Sequence, residues 1–318
     1  MFRNFLGNVF ILSVAAVVMG CSPQGETTNS TNSTPSESTN ITTSTNTEKI
    51  IIADISNNPA KKIKRYQPFA DYLAANLSEF DIGVGEVQVA SDMPTMVQWL
   101  KNGDVDLYFD SPYPAMYVTD ESGAEVILRR WKGGQADYYT VLFTMKDRDI
   151  NSVEDLQGKI IAFDELSSTS GYMLPMAYLK QANLKTAQKS SVNETVIADE
   201  IGYIFSGDDE NTIQWVISGK VDAGAVDIGT FLEIPEANRE AMKVLAETDK
   251  VARHVVMIKP GMDREKVEAI KTLLLEMNQT EAGKIVLEEF EETAKFDNFP
   301  PESDIAKMRE LYQQVQNQ

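Results

Sequence analysis

The apolar pattern begins in earnest at Ile50, Ile51 and Ile52, which lead through Ala53 and Asp54 to Ile55. A β-branched run of this kind fills a strand buried on both faces. The period then changes. Residues 56–59 are turn chemistry, and Tyr66, Phe69, Leu73 and Leu77 recur at helical spacing. The same order continues with a strand over 87–90, a helix over 96–100 and a strand over 105–109, which predicts an α/β lobe with a mostly parallel sheet. Further helices are expected near 264–277, 281–290 and 303–313.

A spaced repeat organises the rest. Gln98, Trp99, Gly103, Val105 and Asp106 recur at identical spacing as Gln214, Trp215, Gly219, Val221 and Asp222. Each copy ends a helix and starts a strand, with the Gly suited to a helix C-terminus at positive φ. Asp92 and Asp208 precede the two helices, so two related lobes are predicted. The strand-like run 138–145, and 244–258 with its polar break at Thr248, Asp249 and Lys250, read as crossings between them. The expected boundaries are 49–143 plus 251–318 for the first lobe and 144–250 for the second.

The N-terminal end is of a different kind. Arg3 is the only charge before an apolar run over 9–19, too short to span a bilayer and normal for an export signal. The run closes on Val18, Met19, Gly20 and Cys21, which resembles a bacterial lipobox, with residues 1–20 removed and lipid placed on Cys21. Residues 26–47 are almost wholly Ser, Thr and Asn and cannot form a core, so 21–48 is expected to be a flexible tether. The location expected is the cell envelope, outside the cytoplasm.

Composition narrows the chemistry. Lys plus Arg is 29 against 48 Asp plus Glu, a formal charge of −19 that repels nucleic acid, so no nucleic-acid partner is expected. One Cys and one His leave no Cys/His metal cluster and at most one imidazole base. Ser168 or Ser170 as a nucleophile would depend on His254, and no spacing supports a triad, so neither an enzyme nor a cofactor is expected. The acidic stretch Glu288, Glu289, Glu291 and Glu292 reads as a solvated helix face.

Ligands of open α/β sheets sit beyond the carboxyl ends of the strands, where helix N-termini also point. Three segments fall there. Ser167, Ser168, Thr169, Ser170 and Gly171 follow a strand over 160–163, and their hydroxyls and free N–H groups suit an oxyanion or simply cap a helix. Asp110, Ser111, Pro112, Tyr113 and Pro114 open a second helix, and Gly207, Asp208 and Asp209 open a third.

At these residues the sequence resembles the phosphonate-binding family of ABC transporter substrate-binding proteins. The likeness is carried by Ser111-Pro112-Tyr113 after a Val-Asp strand, Asp155-Leu156-Gln157-Gly158-Lys159, Ser168-Thr169-Ser170-Gly171-Tyr172 with Pro175, and Gly219-Lys220-Val221-Asp222-Ala223-Gly224. The resemblance implies a two-lobe, type II periplasmic-binding-protein fold, closure about a hinge, and a phosphonate, phosphite or phosphate ligand passed to a membrane permease, the protein acting as a monomer. The candidate contacts are Met93, Asp110, Ser111, Tyr113, Ser168, Thr169, Ser170, Gly171, Asp209, Asp227 and Arg253. Three depart from the family: Met93 and Asp110 stand where Tyr is frequent, and Asp209 where an anion-binding His is frequent. Arg253 can clamp an oxyanion with two parallel hydrogen bonds. Asp110 or Asp209 would favour a ligand bearing an O–H or a cationic group. The alternatives are a different anion, a sensor with the same site, or ferric ion held by Tyr138 and Tyr139.

Overall fold

The computed structural model describes residues 48–300 and 305–316. The expected export signal, Cys21 and all of the tether except Glu48 lie outside the described residues.

The chain runs β1 (Glu48–Ile55), α1 (Pro59–Asn76), β2 (Ile82–Ala90), α2 (Met93–Asn102), β3 (Leu107–Asp110), α3 (Pro112–Ser122) and β4 (Glu125–Arg130). It continues through β5 (Asp137–Tyr138), β6 (Thr140–Met145), β7 (Ile160–Phe163), a π-type turn (Thr169–Met173), α4 (Leu174–Gln181), β8 (Lys185–Gln188) and β9 (Glu200–Phe205). Then come α5 (Asp209–Ile217), β10 (Ala223–Asp227), α6 (Ile228–Glu233), α7 (Glu236–Glu240), β11 (Met242–Glu247), β12 (Val251–Ala252) and β13 (His254–Ile258). Helices α8 (Arg264–Glu276) and α9 (Glu281–Glu289), strand β14 (Phe296–Asp297) and helix α10 (Ile305–Gln316) complete it.

Two six-stranded sheets result, in the orders β14-β4-β13-β3-β1-β2 and β11-β6-β10-β7-β9-β8. Each has a parallel part, β2-β1-β3 in the first and β8-β9-β7-β10 in the second, and antiparallel strands beyond it. The spaced repeat has a geometric counterpart. Gly103 and Gly219 both take positive φ, at +78° and +70°, after α2 and α5. Asp106 then accepts from the Ile51 N–H at 2.8 Å, and Asp222 from the Ile160 N–H at 3.0 Å. Each aspartate fastens the loop before one strand, β3 or β10, to the strand that pairs with it in parallel, β1 or β7. Asp92 and Asp208 cap α2 and α5 by accepting from the Thr95 and Asn211 N–H groups.

Strands β5 and β12 pair with each other alone, Val251 opposite Tyr138 and Ala252 opposite Asp137, and form the link between the sheets. The strand-like run expected over 138–145 is therefore broken at Tyr139. Strand β6 lies wholly in the second sheet, paired with β10 and β11, so the chain leaves the first lobe before Thr140 and not at 143. The backbone turns there because Tyr138 pairs across the link while Thr140 pairs with Asp227.

Three apolar clusters hold the fold. One lies behind the first sheet around Phe69, Phe109, Phe290 and Phe296, and one behind the second around Phe143, Val216 and Phe231. The third runs through both lobes, joining Tyr108 and Tyr113 to Phe163, Tyr172 and Tyr312. Helix α10 was expected to belong to the first lobe, yet it rests on both. Tyr312 meets Tyr113 of α3 edge-on at 5.4 Å, while Lys180 of α4 donates to the Gln314 carbonyl at 2.8 Å.

Candidate functional site

A cavity of about 490 Å³ opens between the lobes. It lies where the strand argument places a ligand, beyond the carboxyl ends of β1, β3 and β7. Asp54, Ile55 and Ser56 end β1, Asp110 and Ser111 end β3, and Ser167, Ser168, Thr169 and Ser170 follow β7. Met93 at the start of α2, and Lys132, Tyr138, Arg253 and His254 near the link, complete the wall.

The two facing helix starts differ in what they offer. At α3 the Pro112 and Pro114 nitrogens carry no hydrogen, the Tyr113 N–H is taken by Thr169 Oγ1 at 2.8 Å, and Ala115 N–H bonds Ser111. That terminus is spent. Across the cleft, Ser168 Oγ accepts from the Gly171 N–H at 2.9 Å and caps the π-type turn, so the N–H groups of Thr169 and Ser170 lie ahead of the first helical acceptor. Thr169 also donates to Ser111 Oγ at 3.0 Å, a direct link between lobes. Gly171 lines nothing. It is buried because a Cβ there would stand 2.3 Å from Asp164 Cβ, so glycine lets the turn lie against the loop after β7.

The acids around the cavity are nearly all engaged. Asp110 accepts from the Tyr108 hydroxyl and, at 2.6 Å, from the Ser111 N–H; burial and then the Asp54 charge push its carboxyl up to about 6. Asp54 takes the Tyr66 hydroxyl and Lys62, and Glu165 takes Ser167. Asp227 caps α6 through Gly229 and Thr230 and lines a second cavity of about 420 Å³ instead of the first. Asp209 lines neither. Its Oδ1 is buried without a partner, and burial, followed by Asp164 and Asp227, pushes its carboxyl up to about 7. Tyr113 contributes only its backbone, since its ring packs on Tyr172 and Tyr312.

Sequence reasoning missed the cationic floor. Glu291 is not a solvated helix residue. At φ +55° just beyond α9 it turns inward and meets Lys62 at 2.7 Å, Arg130 at 3.3 Å and Lys132 at 3.3 Å. Those cations hold its carboxyl far below the usual range despite burial. His254, the first residue of β13, faces the cavity with Nδ1 buried and unpartnered. Burial, reinforced by Lys132, Arg130 and Arg253, keeps its imidazole well below the ordinary value and therefore neutral. Arg253 lies over the Tyr138 ring at 4.5 Å. Burial pushes the Tyr138 phenol, which lines the cavity, up to about 12, while Tyr139 lies against Lys250 and is not among the lining residues. Among the described residues no cluster of three His, Cys, Asp or Glu side chains is arranged to hold a metal, and no helix is long and apolar enough to cross a membrane.

Residues 52–304 match the family of ABC transporter, phosphonate, periplasmic substrate-binding proteins. The phosphate-import protein PhnD of Mycolicibacterium smegmatis is 27% identical over 193 residues, 58% of this chain and 59% of that protein, so the likeness spans under two thirds of its length. XAC2383 from Xanthomonas citri, solved bound to ATP, superposes with a TM-score of 0.77 at 26% identity, covering 84% of this chain and 96% of its own. PhnD1 from Prochlorococcus marinus, solved with methylphosphonate, shares the fold with a TM-score of 0.60 at 18% identity, over 86% and 100% of the two chains. A two-lobe type II binding-protein fold with its cavity at the strand ends, matched by the family over most of its length, places this chain among the periplasmic phosphonate-type substrate-binding proteins of ABC transporters.

Proposed function

We propose that the protein captures a phosphorus oxyanion, phosphate, phosphite or a phosphonate, between its lobes and presents it to a membrane permease, tethered by lipid on Cys21. The observation that carries this reading is the free helix start at Thr169 and Ser170, facing a cavity whose acids are already bonded within the protein. Backbone N–H groups and a helix dipole hold an anion without a cation of their own. Ser168 shapes the turn, Thr169 ties it to Ser111, and the Ser170 hydroxyl is the side chain left to contact the ligand. Asp110, protonated below about pH 6, lends a hydrogen rather than a charge, so oxyanion affinity is expected to fall as pH rises through that value.

Calorimetric titration with phosphate, phosphite, methylphosphonate, 2-aminoethylphosphonate and sulfate, at about pH 5.5 and 8, tests this reading. Micromolar binding of a phosphorus ligand, weaker at the higher pH and lost in Ser170→Pro, is the expected result. Sulfate bound as tightly as every phosphorus compound, or no binding by any of the five, would refute it. Direct hand-over to a permease separates from sensing by whether a deletion strain loses uptake of the bound compound.

A further inference from the structure

The wall shared by the two cavities carries chemistry that a single oxyanion at Thr169 and Ser170 does not use. Lys132 and Arg253 line both the 490 Å³ and the 420 Å³ spaces, and His254 lines the first beside them. In a chain with 48 acids and 29 bases, a guanidinium is expected to find a carboxylate. Arg253 does not. Among the described residues its side chain has only the Tyr138 ring beneath it, so its five donors are unclaimed. Lys132 reaches one carboxylate, Glu291 at 3.3 Å, which Lys62 and Arg130 share. Lys62, Arg130 and Lys132 thus share the two carboxylates they contact, Asp54 and Glu291, while Arg253 contacts none, although Glu233 and Glu292 also line the second cavity.

The independent sign of a ligand is His254. It is 5% exposed, and its Nδ1 is buried with no partner. A buried polar atom without a partner in a native protein calls for an explanation, and an absent ligand supplies one. Size points the same way. A five-atom oxyanion occupies on the order of 100 Å³, a few times the roughly 30 Å³ share of a water molecule, and leaves most of the first cavity open.

We infer that Lys132, Arg253 and His254 form a second anion subsite, and that the ligand is of the diphosphate class, two linked anionic groups of which one lies on Thr169 and Ser170 and the other on this wall. The inference rests on the oxyanion reading above and narrows it. Arg253 supplies a planar fork for two oxygens, Lys132 a point charge, and His254 an N–H that adds no further positive charge. The acid that lines the second cavity from β10, Asp227, is turned onto Gly229 and Thr230 and does not oppose the anion with a free carboxylate.

The test is calorimetry on the intact protein with pyrophosphate and methylphosphonate as probes, in the unaltered chain and in Arg253→Gln, Arg253→Lys and Lys132→Met. Pyrophosphate is expected to bind at least tenfold tighter than methylphosphonate. Arg253→Gln and Lys132→Met should each reduce that ratio to threefold or less, while Arg253→Lys, which keeps the charge, retains more of it. Equal affinity for the two probes, or a ratio untouched in both neutral variants, overturns the second subsite and leaves the oxyanion reading standing. Silence from both probes overturns the two together. Matching unfolding midpoints for Arg253→Gln, Lys132→Met and the unaltered chain exclude misfolding as the cause of a lost ratio.

Discussion

Replacing Asp209 with Asn removes a carboxyl that folding renders reluctant to ionise. Its value rises from 3.8 to about 7, first through burial and then through Asp164 and Asp227. Between about pH 4 and 7 the folded chain holds this proton and the unfolded chain does not, so stability falls as pH rises across that window. That rise corresponds to about 4 kcal/mol at pH 8, and relaxation of the surroundings lowers it to about 2–4 kcal/mol. Against it stands the loss of an acid in the first turn of α5, worth about 0.3–1 kcal/mol. The larger effect wins. Asp209→Asn is expected to stabilise the ligand-free protein at pH 8 by about 1–3 kcal/mol and to change it by less than about 1 kcal/mol at pH 4, where the folded carboxyl is neutral. Guanidinium unfolding at pH 4, 6 and 8 measures the difference. A variant that is destabilised at pH 8, or whose difference from the unaltered chain does not vary with pH, refutes the argument that this carboxyl carries an unfavourable charge.

Three further outcomes are expected. Glu291→Gln removes the carboxylate shared by Lys62, Arg130 and Lys132 and should cost about 3–5 kcal/mol in denaturant unfolding. Because that carboxyl is depressed in the fold, the loss is full above about pH 4.3 and fades below it; a cost under 1 kcal/mol at pH 7 would show the network to be inconsequential. Gly171→Ala puts a methyl 2.3 Å from Asp164 Cβ, and overpacking of about 1–3 kcal/mol plus displacement of the helix start should lower phosphate affinity by tenfold or more; unchanged affinity would separate that turn from the ligand. Thr169→Val keeps the volume but deletes the bonds to Tyr113 and Ser111, so small-angle scattering of the ligand-free chain should show a larger radius of gyration, and an unchanged one would count against Thr169 as a tie.

The lobes were legible in the sequence because their joints are chemical. A positive-φ glycine and an aspartate that bonds the neighbouring strand leave few alternatives, so the Gly103–Asp106 pattern and its copy at Gly219–Asp222 carry the topology themselves. The Ser168–Ser170 segment was likewise visible from its place after a buried strand. Charge defeated the reading elsewhere. Glu291 stands in a run of four acids, and nothing local tells that its backbone adopts a left-handed turn and points it at three cations far away in sequence. Lys132 lies in a Gly-rich loop, and its place on a cavity wall depends on β4, β14 and the link meeting in space. Asp209 shows the converse: its first-turn position suits a dipole complement, yet its surroundings make the charge unfavourable.

Helix α10 gives the C-terminal end a mechanical part in the molecule. Gln316 donates to the Tyr113 hydroxyl at 3.0 Å while Gln314 takes Lys180, so one short helix grips the first helix past the cavity on one side and its counterpart on the other. Parting the lobes must slide or peel one of these grips. A dye placed on the outer face of that helix would therefore report any displacement of one lobe against the other, and a change of its signal on adding phosphate would tie that displacement to occupancy.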